Sequence, residues 1–171
     1  MAKNGFKVLD CDMHIVEPWD LWLQYIEPKY KDRAPVGAKE YSLDFGLFLD
    51  GEPISAIRSK DPVSAQDSWL ARLEIENERL PALKDHIDQQ FDSTSQLQAM
   101  DNEGIDKTVL FPTRGLAALS LDYLDTELAA AVARAYNNWL SDFCAADRDR
   151  LYGSAMLSVH DVSEAVTEAR R

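Results

Sequence analysis

The second half of the chain alternates helical and extended patterns, and this order of elements constrains the fold more than any other feature. Residues 93–102 and 125–146 show helical spacing, as does the segment from residue 163 onward. Between them lie two apolar runs, Thr108–Pro112 and Leu151–Val159, which we predict to be strands. Helices that alternate with strands imply parallel strands joined by right-handed crossovers. We therefore predict an α/β fold built on a parallel sheet.

The ends of these helices carry their own signals. Ser93 or Thr94 is expected to cap the first helix, and Gly104 is expected to end it. Asp125 or Thr126 should cap the second helix. An apolar stripe at helical spacing should bury one side of that second helix. The residues of this stripe are Leu128, Val132, Ala135, Tyr136, Trp139, Leu140 and Phe143.

A further strand is predicted near the N-terminus. From Leu9 to Ile15, apolar and polar residues alternate, and side chains two positions apart share one face of a strand. Asp10, Asp12 and His14 should therefore point the same way. A carboxylate and an imidazole at this spacing can reach one divalent cation, and parallel α/β enzymes place chemistry at the C-terminal ends of strands. Asp12 and His14 are thus candidate metal ligands, with ordinary strand-end hydrogen bonding as the alternative.

Three more polar residues follow predicted strands and are candidate catalytic residues. Glu17 could orient His14 or contact a substrate, and its alternative is a charge at a helix N-terminus. Arg114 could bind a substrate carboxylate, because guanidinium groups match planar anions; its alternative is a surface arginine. His160 could bind substrate or transfer a proton, and its alternative is a loop histidine before Asp161, the expected cap of the last helix.

The middle of the chain is irregular, with prolines and glycines spread through it. Asp50-Gly51 favours a type I′ turn between two short strands at 42–49 and 52–57. Residues 65–83 are charged and follow only a weak helical pattern. This part of the chain therefore predicts one hairpin and little other regular structure.

Composition limits the class of partner. The formal net charge is −12, so an acidic surface would repel phosphate backbones, and we expect no nucleic-acid partner. No apolar stretch approaches the ~18 residues of a membrane span, and the N-terminus lacks an apolar signal region. We expect a cytoplasmic protein. The two cysteines, Cys11 and Cys144, are expected to be buried free thiols.

Several ordered segments resemble one family. The string Val8–Trp22 resembles the opening of amidohydrolase-related proteins close to aminocarboxymuconate-semialdehyde decarboxylase. Those proteins begin with a strand that carries His-x-His, Glu-x-His or Asp-x-His, often followed by Glu-Pro. Met100–Pro112 is similar to the family's segment that leads into its next barrel strand. Tyr136–Leu140 and Asp147–Gly153 resemble the following helix and the turn into the third strand.

The resemblance covers residues 7–27 and 93–171, which leaves about 28–92 as an insertion after the first strand. It implies that the 171 residues form one partial domain, the N-terminal portion of a (β/α)8 TIM barrel with about three strand–helix units. A full barrel needs ~250 residues, and three strands cannot close one. We therefore expect a fragment. Asp12 and His14 match the family's first two metal ligands, with zinc the first expectation and manganese the second.

The function implied by the resemblance is that of a metal-dependent hydrolase or decarboxylase. Its substrate would be a small carboxylate or a hydrolysable C–N or C–C bond. Asp12 stands where the best-known decarboxylases have histidine, and an anionic ligand weakens the Lewis acidity of a metal. The family's other ligands, a histidine on a later strand and an aspartate near the last strand, fall outside these residues, so we expect this fragment to be inactive. The competing expectation is a non-catalytic half-barrel that associates with a partner or with itself as a homo-oligomer.

Overall fold

The computed structural model describes residues 5–37, 46–54, 84–121 and 124–171. The outer ends of the predicted hairpin and the helical pattern at 65–83 lie outside these ranges. The elements in chain order are β1 (Leu9–His14), α1 (Leu21–Tyr25), a 3-10 helix (Pro28–Arg33), β2 (Val36–Gly37), β3 (Leu47–Leu49), β4 (Glu52–Pro53), α2 (Ser93–Glu103), β5 (Lys107–Phe111), α3 (Gly115–Ala118), α4 (Thr126–Cys144), β6 (Leu151–Gly153) and α5 (Val162–Arg170).

The main sheet is parallel, in the order β1-β5-β6, which confirms the predicted α/β class. Each pair of neighbouring strands is joined by a connection that contains a helix. Helix α2 lies between β1 and β5, and α4 lies between β5 and β6. A second, antiparallel sheet contains β2, β3 and β4 in that order. All three strands of the parallel sheet consequently end at the same edge, where the candidate site residues follow them.

Strand β1 departs from simple alternation. Its pairing with β5 shifts between Asp10 and Met13, so that one extra residue is inserted there as a β-bulge. Met13 packs against the core, whereas Leu9 and Cys11 are exposed. The prediction of a buried Cys11 is therefore wrong, because the side of β1 that carries Cys11 is not covered by other described elements. Cys144 is half-buried.

Strand β6 is shorter than the predicted 151–159. After Gly153, the Ser154 N–H still donates to the Leu110 carbonyl at 2.9 Å. The Met156 N–H then donates to Oδ1 of Asn137, and the Met156 carbonyl accepts from Nδ2 of the same residue, both at 2.8 Å. The main chain thus leaves the sheet because a helix side chain replaces the neighbouring strand as its hydrogen-bond partner.

Helix α4 supplies more of the described core than any other element. Its whole predicted apolar stripe is buried, and Asp125 caps it by accepting the Leu128 N–H at 3.0 Å, as predicted. The Trp22 indole N–H on α1 donates to the Val132 carbonyl at 3.2 Å, which ties the two helices together. Among the helices of the described ranges, none has the length and apolar character that a membrane crossing needs.

Local signals placed two other features. The cap of α2 is Asp92, whose side chain accepts the Ser95 N–H at 2.8 Å, so the Ser93-or-Thr94 prediction was wrong by one residue. Gly104 ends α2 in the left-handed conformation as predicted. Asp50 and Gly51 both have positive φ between β3 and β4, which matches the predicted type I′ turn.

Candidate functional site

The side chains of Asp12 and His14 meet at the C-terminal end of β1. Nε2 of His14 lies 4.0 Å from Oδ1 of Asp12. The exposed fractions of the two side chains are 47% for His14 and 84% for Asp12, so solvent reaches both. Oδ1 of Asp10 turns back to accept the Asp12 N–H at 2.9 Å and braces the bulged part of the strand. A carboxylate oxygen and an imidazole nitrogen thus lie together at the C-terminal edge of the parallel sheet, which we call the rim.

The hydrogen bonds of His14 define which ring nitrogen carries the proton. Nδ1 lies 2.8 Å from the carbonyl oxygen of Pro112, just past β5, and 3.5 Å from the Thr113 hydroxyl. A carbonyl can only accept, so the hydrogen-bond network assigns the proton to Nδ1. In the neutral imidazole the lone pair is then on Nε2, the nitrogen that lies near Asp12. Histidines that bind metals are commonly oriented in this way, by a backbone carbonyl on the other nitrogen.

Glu17 is fully buried beneath this rim. Its Oε1 accepts the N–H groups of Thr113 at 3.0 Å and Gly115 at 2.9 Å, and its Oε2 accepts the Arg114 N–H at 2.9 Å. Burial raises the pKa of the Glu17 carboxyl, although these N–H donors pull the pKa in the opposite direction. The carboxylate thus accepts hydrogen bonds from three consecutive N–H groups after β5, and its role toward His14 or a substrate stays a prediction.

Arg114 is buried, which overturns its alternative as a surface arginine. A guanidinium nitrogen, Nη1, donates to the main-chain carbonyl of Glu17. Side chain and main chain of Glu17 are therefore both bonded to residue 114. Substrate binding by Arg114 stays a prediction, and it would require the guanidinium group to be reached from the sheet rim.

His160 is half-buried beyond the end of β6. Its Nε2 lies 2.8 Å from the Leu121 carbonyl, and its Nδ1 lies 3.3 Å from the Ser158 hydroxyl. Nε2 therefore carries the proton, and Nδ1 accepts from the hydroxyl. The next residue, Asp161, caps α5 as predicted by accepting the N–H of Ser163 at 2.7 Å. A proton-transfer role for His160 stays a prediction, and it would begin from an imidazole with both nitrogens paired.

The donor pair is slightly too far apart to share one tetrahedral cation without adjustment. Two donors that each lie about 2.1 Å from a tetrahedral zinc ion are about 3.4 Å apart. Nε2 of His14 and Oδ1 of Asp12 are 4.0 Å apart, so the exposed Asp12 side chain must rotate closer before both can bind one ion. Over the described ranges, no three His, Cys, Asp or Glu side chains converge on one point. Catalytic zinc usually takes about three protein ligands, so a cation here needs at least one donor in addition to this pair.

Sequence reasoning missed the residues that support the site. The Pro112 carbonyl and the backbone N–H groups of residues 113–115 carry no side-chain signal. Asn137 was also missed, although it holds both backbone groups of Met156 and donates to Glu168 at 2.7 Å. The sequence gives little signal for it, because Asn137 has the polar residues Arg134 and Ser141 as neighbours at helical spacing.

Comparison with known proteins places the fold. No family model and no curated protein matches the chain. Among solved structures, an amidohydrolase from Mycobacterium avium subsp. paratuberculosis is similar, with a TM-score of 0.65 and 19% sequence identity. The similarity covers 96% of this chain and 46% of that protein, so the chain spans less than half of its structural neighbour. The chain therefore shares the α/β fold of part of that amidohydrolase.

Proposed function

We propose that this chain forms the N-terminal part of a metal-dependent, amidohydrolase-related enzyme, in which Asp12 and His14 supply two ligands to one divalent cation. One observation carries the proposal: Nε2 of His14, its lone pair left available by the Nδ1 hydrogen bond, lies 4.0 Å from an exposed Asp12 oxygen. Zinc is the first candidate and manganese the second, since both accept nitrogen and oxygen donors.

The fold supports this proposal in two ways. Three parallel strands with helical connections are what the first three strand–helix units of a (β/α)8 barrel would look like, and we propose that architecture for the whole protein. The similar solved structure is an amidohydrolase, and this chain matches less than half of it. The donor pair also lies at the C-terminal end of its strand, where barrel enzymes carry out their chemistry.

The proposed substrate is a small molecule with a carboxylate, or with a hydrolysable C–N or C–C bond. A bound divalent cation would polarise such a substrate or activate a water molecule. Within this chain, Pro112 holds the imidazole of His14 in place, and Asp12 adds negative charge beside it. That charge attracts the cation and at the same time moderates its Lewis acidity.

Paramagnetic line broadening tests the ligand pair even where binding is weak. The chain contains three histidines, His14, His86 and His160, so each serves as a reference for the others. Small additions of Mn²⁺ to the 171-residue chain should broaden the imidazole signals of His14 well before those of His86 and His160. Asp12→Asn should remove most of this preference, because one donor is lost.

The matched control is His86→Gln, which removes a histidine outside the donor pair, whose Nδ1 lies 2.6 Å from the Ser95 hydroxyl. It should leave the Mn²⁺ response of His14 unchanged. Equal broadening of all three histidines, or a preference for His14 that survives Asp12→Asn, would contradict the proposal.

A specific observation also favours a second candidate function, a non-catalytic subunit that associates with a second copy of itself. Strand β6 is an outer strand of the described sheet, and the residues that follow it expose apolar side chains. These exposed side chains are Leu157, Val159, Val162 and Val166. Apolar patches beside an open strand edge are typical of association surfaces.

Light scattering on size-exclusion fractions distinguishes this second candidate. Self-association predicts a concentration-dependent dimer that Val159→Asp with Val162→Asp converts to monomer. Phe6→Asp is the matched control, because Phe6 is equally exposed and precedes β1, the opposite outer strand. A monomer at every concentration, or a dimer that both variants leave intact, would eliminate this candidate.

A further inference from the structure

One peptide unit links the buried carboxylate of Glu17 to the exposed imidazole of His14. The Thr113 N–H donates to Oε1 of Glu17 at 3.0 Å, and the Pro112 carbonyl accepts from Nδ1 of His14 at 2.8 Å. These two groups belong to the same peptide bond. Because a trans peptide is planar, its N–H and its C=O point in opposite directions and turn together. Whatever holds the N–H of this unit therefore also aims the carbonyl at His14.

Glu17 holds that peptide more firmly than one hydrogen bond would. Its carboxylate also accepts the next two N–H groups, from Arg114 and Gly115, each at 2.9 Å. The Arg114 guanidinium group closes the arrangement by donating to the main-chain carbonyl of Glu17. Rotation of the Pro112–Thr113 peptide would break its hydrogen bond to the buried Glu17 carboxylate. The carboxylate could not turn with the peptide, because it is also bonded to the N–H groups of Arg114 and Gly115.

Packing leaves this turn little room to relax. A Cβ atom at Gly115 would lie 2.7 Å from Sδ of Met156 and 2.8 Å from Cβ of Pro112. It would also lie 3.1 Å from Oε1 of Glu17. The absence of a side chain at Gly115 is thus what lets the carboxylate approach three successive N–H groups.

The dipole of helix α3 does not explain why the Glu17 carboxylate accepts these three N–H groups. Helix α3 has four residues, and the residue before it, Arg114, already has helical dihedral angles. A helix this short has a weak dipole, since the dipole sums over aligned peptides. Three charge-assisted hydrogen bonds to a buried carboxylate constrain the turn more strongly than that dipole does. They also polarise the Pro112–Thr113 peptide, whose carbonyl accepts the hydrogen bond from His14.

We propose that Glu17 is a positioning residue for His14: through the Pro112–Thr113 peptide it keeps the proton of the neutral imidazole on Nδ1 and leaves the lone pair on Nε2. It does so against the nearby Asp12 carboxylate, which by itself would favour a proton on Nε2. The purpose of this arrangement rests on the proposed metal site, which would use that lone pair. The linkage itself is a property of the metal-free protein and is testable without any cation.

Nitrogen-15 NMR of the imidazole groups measures the tautomer directly. We would record it on metal-free protein with a chelator at about pH 8, above the ordinary histidine pKa of ~6.5. In the wild-type chain, His14 should be in the Nδ1–H form. Glu17→Gln and Glu17→Ala should shift its tautomer ratio toward the Nε2–H form by about five- to tenfold, the equivalent of one lost hydrogen bond.

His160 is the internal control, because its Nε2 donates to the Leu121 carbonyl and should keep the Nε2–H form in every variant. A shift of His14 that occurs only together with a shift of His160 would overturn the proposal, because a general loss of structure would then explain it. A wild-type His14 in the Nε2–H form would overturn the proposal without any variant. So would an unchanged His14 ratio in either Glu17 variant when His160 keeps its tautomer.

The outcome is separable from that of the proposed function. A tautomer that depends on Glu17 together with no Mn²⁺ preference for His14 would retain this linkage and reject the metal site. A Mn²⁺ preference for His14 together with an insensitive tautomer would retain the metal site and reject the linkage.

Discussion

His14 is the last residue of β1 and His160 follows β6, so both imidazoles lie on the C-terminal side of parallel strands. His160 has both ring nitrogens paired, with the Leu121 carbonyl and the Ser158 hydroxyl. His14 has only Nδ1 committed to a carbonyl, and its Nε2 lies near the Asp12 carboxylate. A nitrogen paired inside the protein must lose that bond before it can bind a ligand, so His14 is the better prepared of the two.

The carboxylates of the β1 region differ in the same way. Asp12 is exposed on the rim, whereas Glu17 is buried and its oxygens accept three backbone N–H groups. A solvated carboxylate can exchange water for a cation at little cost, and a buried one cannot give up its donors cheaply. The comparison teaches that available donors lie on the rim, and that the buried layer beneath holds them in position.

The largest expected effect comes from a substitution at Gly115, which lies in the buried turn around Glu17. Gly115→Ala should destabilise the protein by about 1–3 kcal/mol, because the new methyl group overlaps Met156 and Pro112. Urea unfolding measures the change. Leu116→Ala is the control, since Leu116 is exposed on the same short helix and should change the free energy of unfolding little. Equal effects of the two substitutions would show that the layer is not tightly packed.

Removing each histidine in turn tests which one is structural. His160→Ala should cost about 1–2 kcal/mol, because the Leu121 carbonyl and the Ser158 hydroxyl lose their partner. His14→Ala should cost less, about 0.5–1 kcal/mol, because it loses one hydrogen bond, to the Pro112 carbonyl, and half of its side chain is exposed. Urea unfolding measures both changes. A larger loss for His14→Ala than for His160→Ala would reverse the assignment.

The pH dependence of the free energy of unfolding tests the buried carboxyl group, that of Glu17. Burial raises the pKa of Glu17 in the folded protein above its ordinary value of 4.5. The stabilisation linked to its proton is therefore fully present below that value and is lost as pH rises through the higher folded pKa. Relative to Glu17→Gln, the wild-type free energy of unfolding should fall as pH rises from 4.5 toward neutrality. A parallel pair of profiles would contradict the raised pKa.

The smallest expected effect is at Asp10. Asp10→Ala removes the bond from the Asp12 N–H to Oδ1 of Asp10, and this surface change should alter stability by less than about 0.5 kcal/mol. Its effect should appear instead in a weaker Mn²⁺ broadening at His14, because the bulge that places Asp12 is less well held. Asp20→Ala, which changes a carboxylate outside the rim, should leave that broadening unaltered. If Asp10→Ala and Asp20→Ala have the same effect on the broadening at His14, the site consists of Asp12 and His14 without a contribution from Asp10.

Local sequence signals predicted much of the fold because they act over few residues. The caps Asp125 and Asp161, the Asp50-Gly51 turn and the apolar stripe of α4 each depend on neighbours within one or two turns of the chain. The exposed Cys11 and the early end of β6 were not predictable in this way. Both depend on what covers or pairs with a strand, and those partners lie far away in the sequence.

The sequence by itself determined the alternation of helices and strands, and with it a parallel sheet whose C-terminal edge carries Asp12 and His14. Only the tertiary structure decided which polar groups at that edge remain available, since Glu17 finds its partners at residues 113–115 and His14 finds its partner at Pro112. The physical reason is that periodicity records which face of an element is apolar, whereas a hydrogen bond between residues nearly a hundred positions apart exists only after the strands have paired.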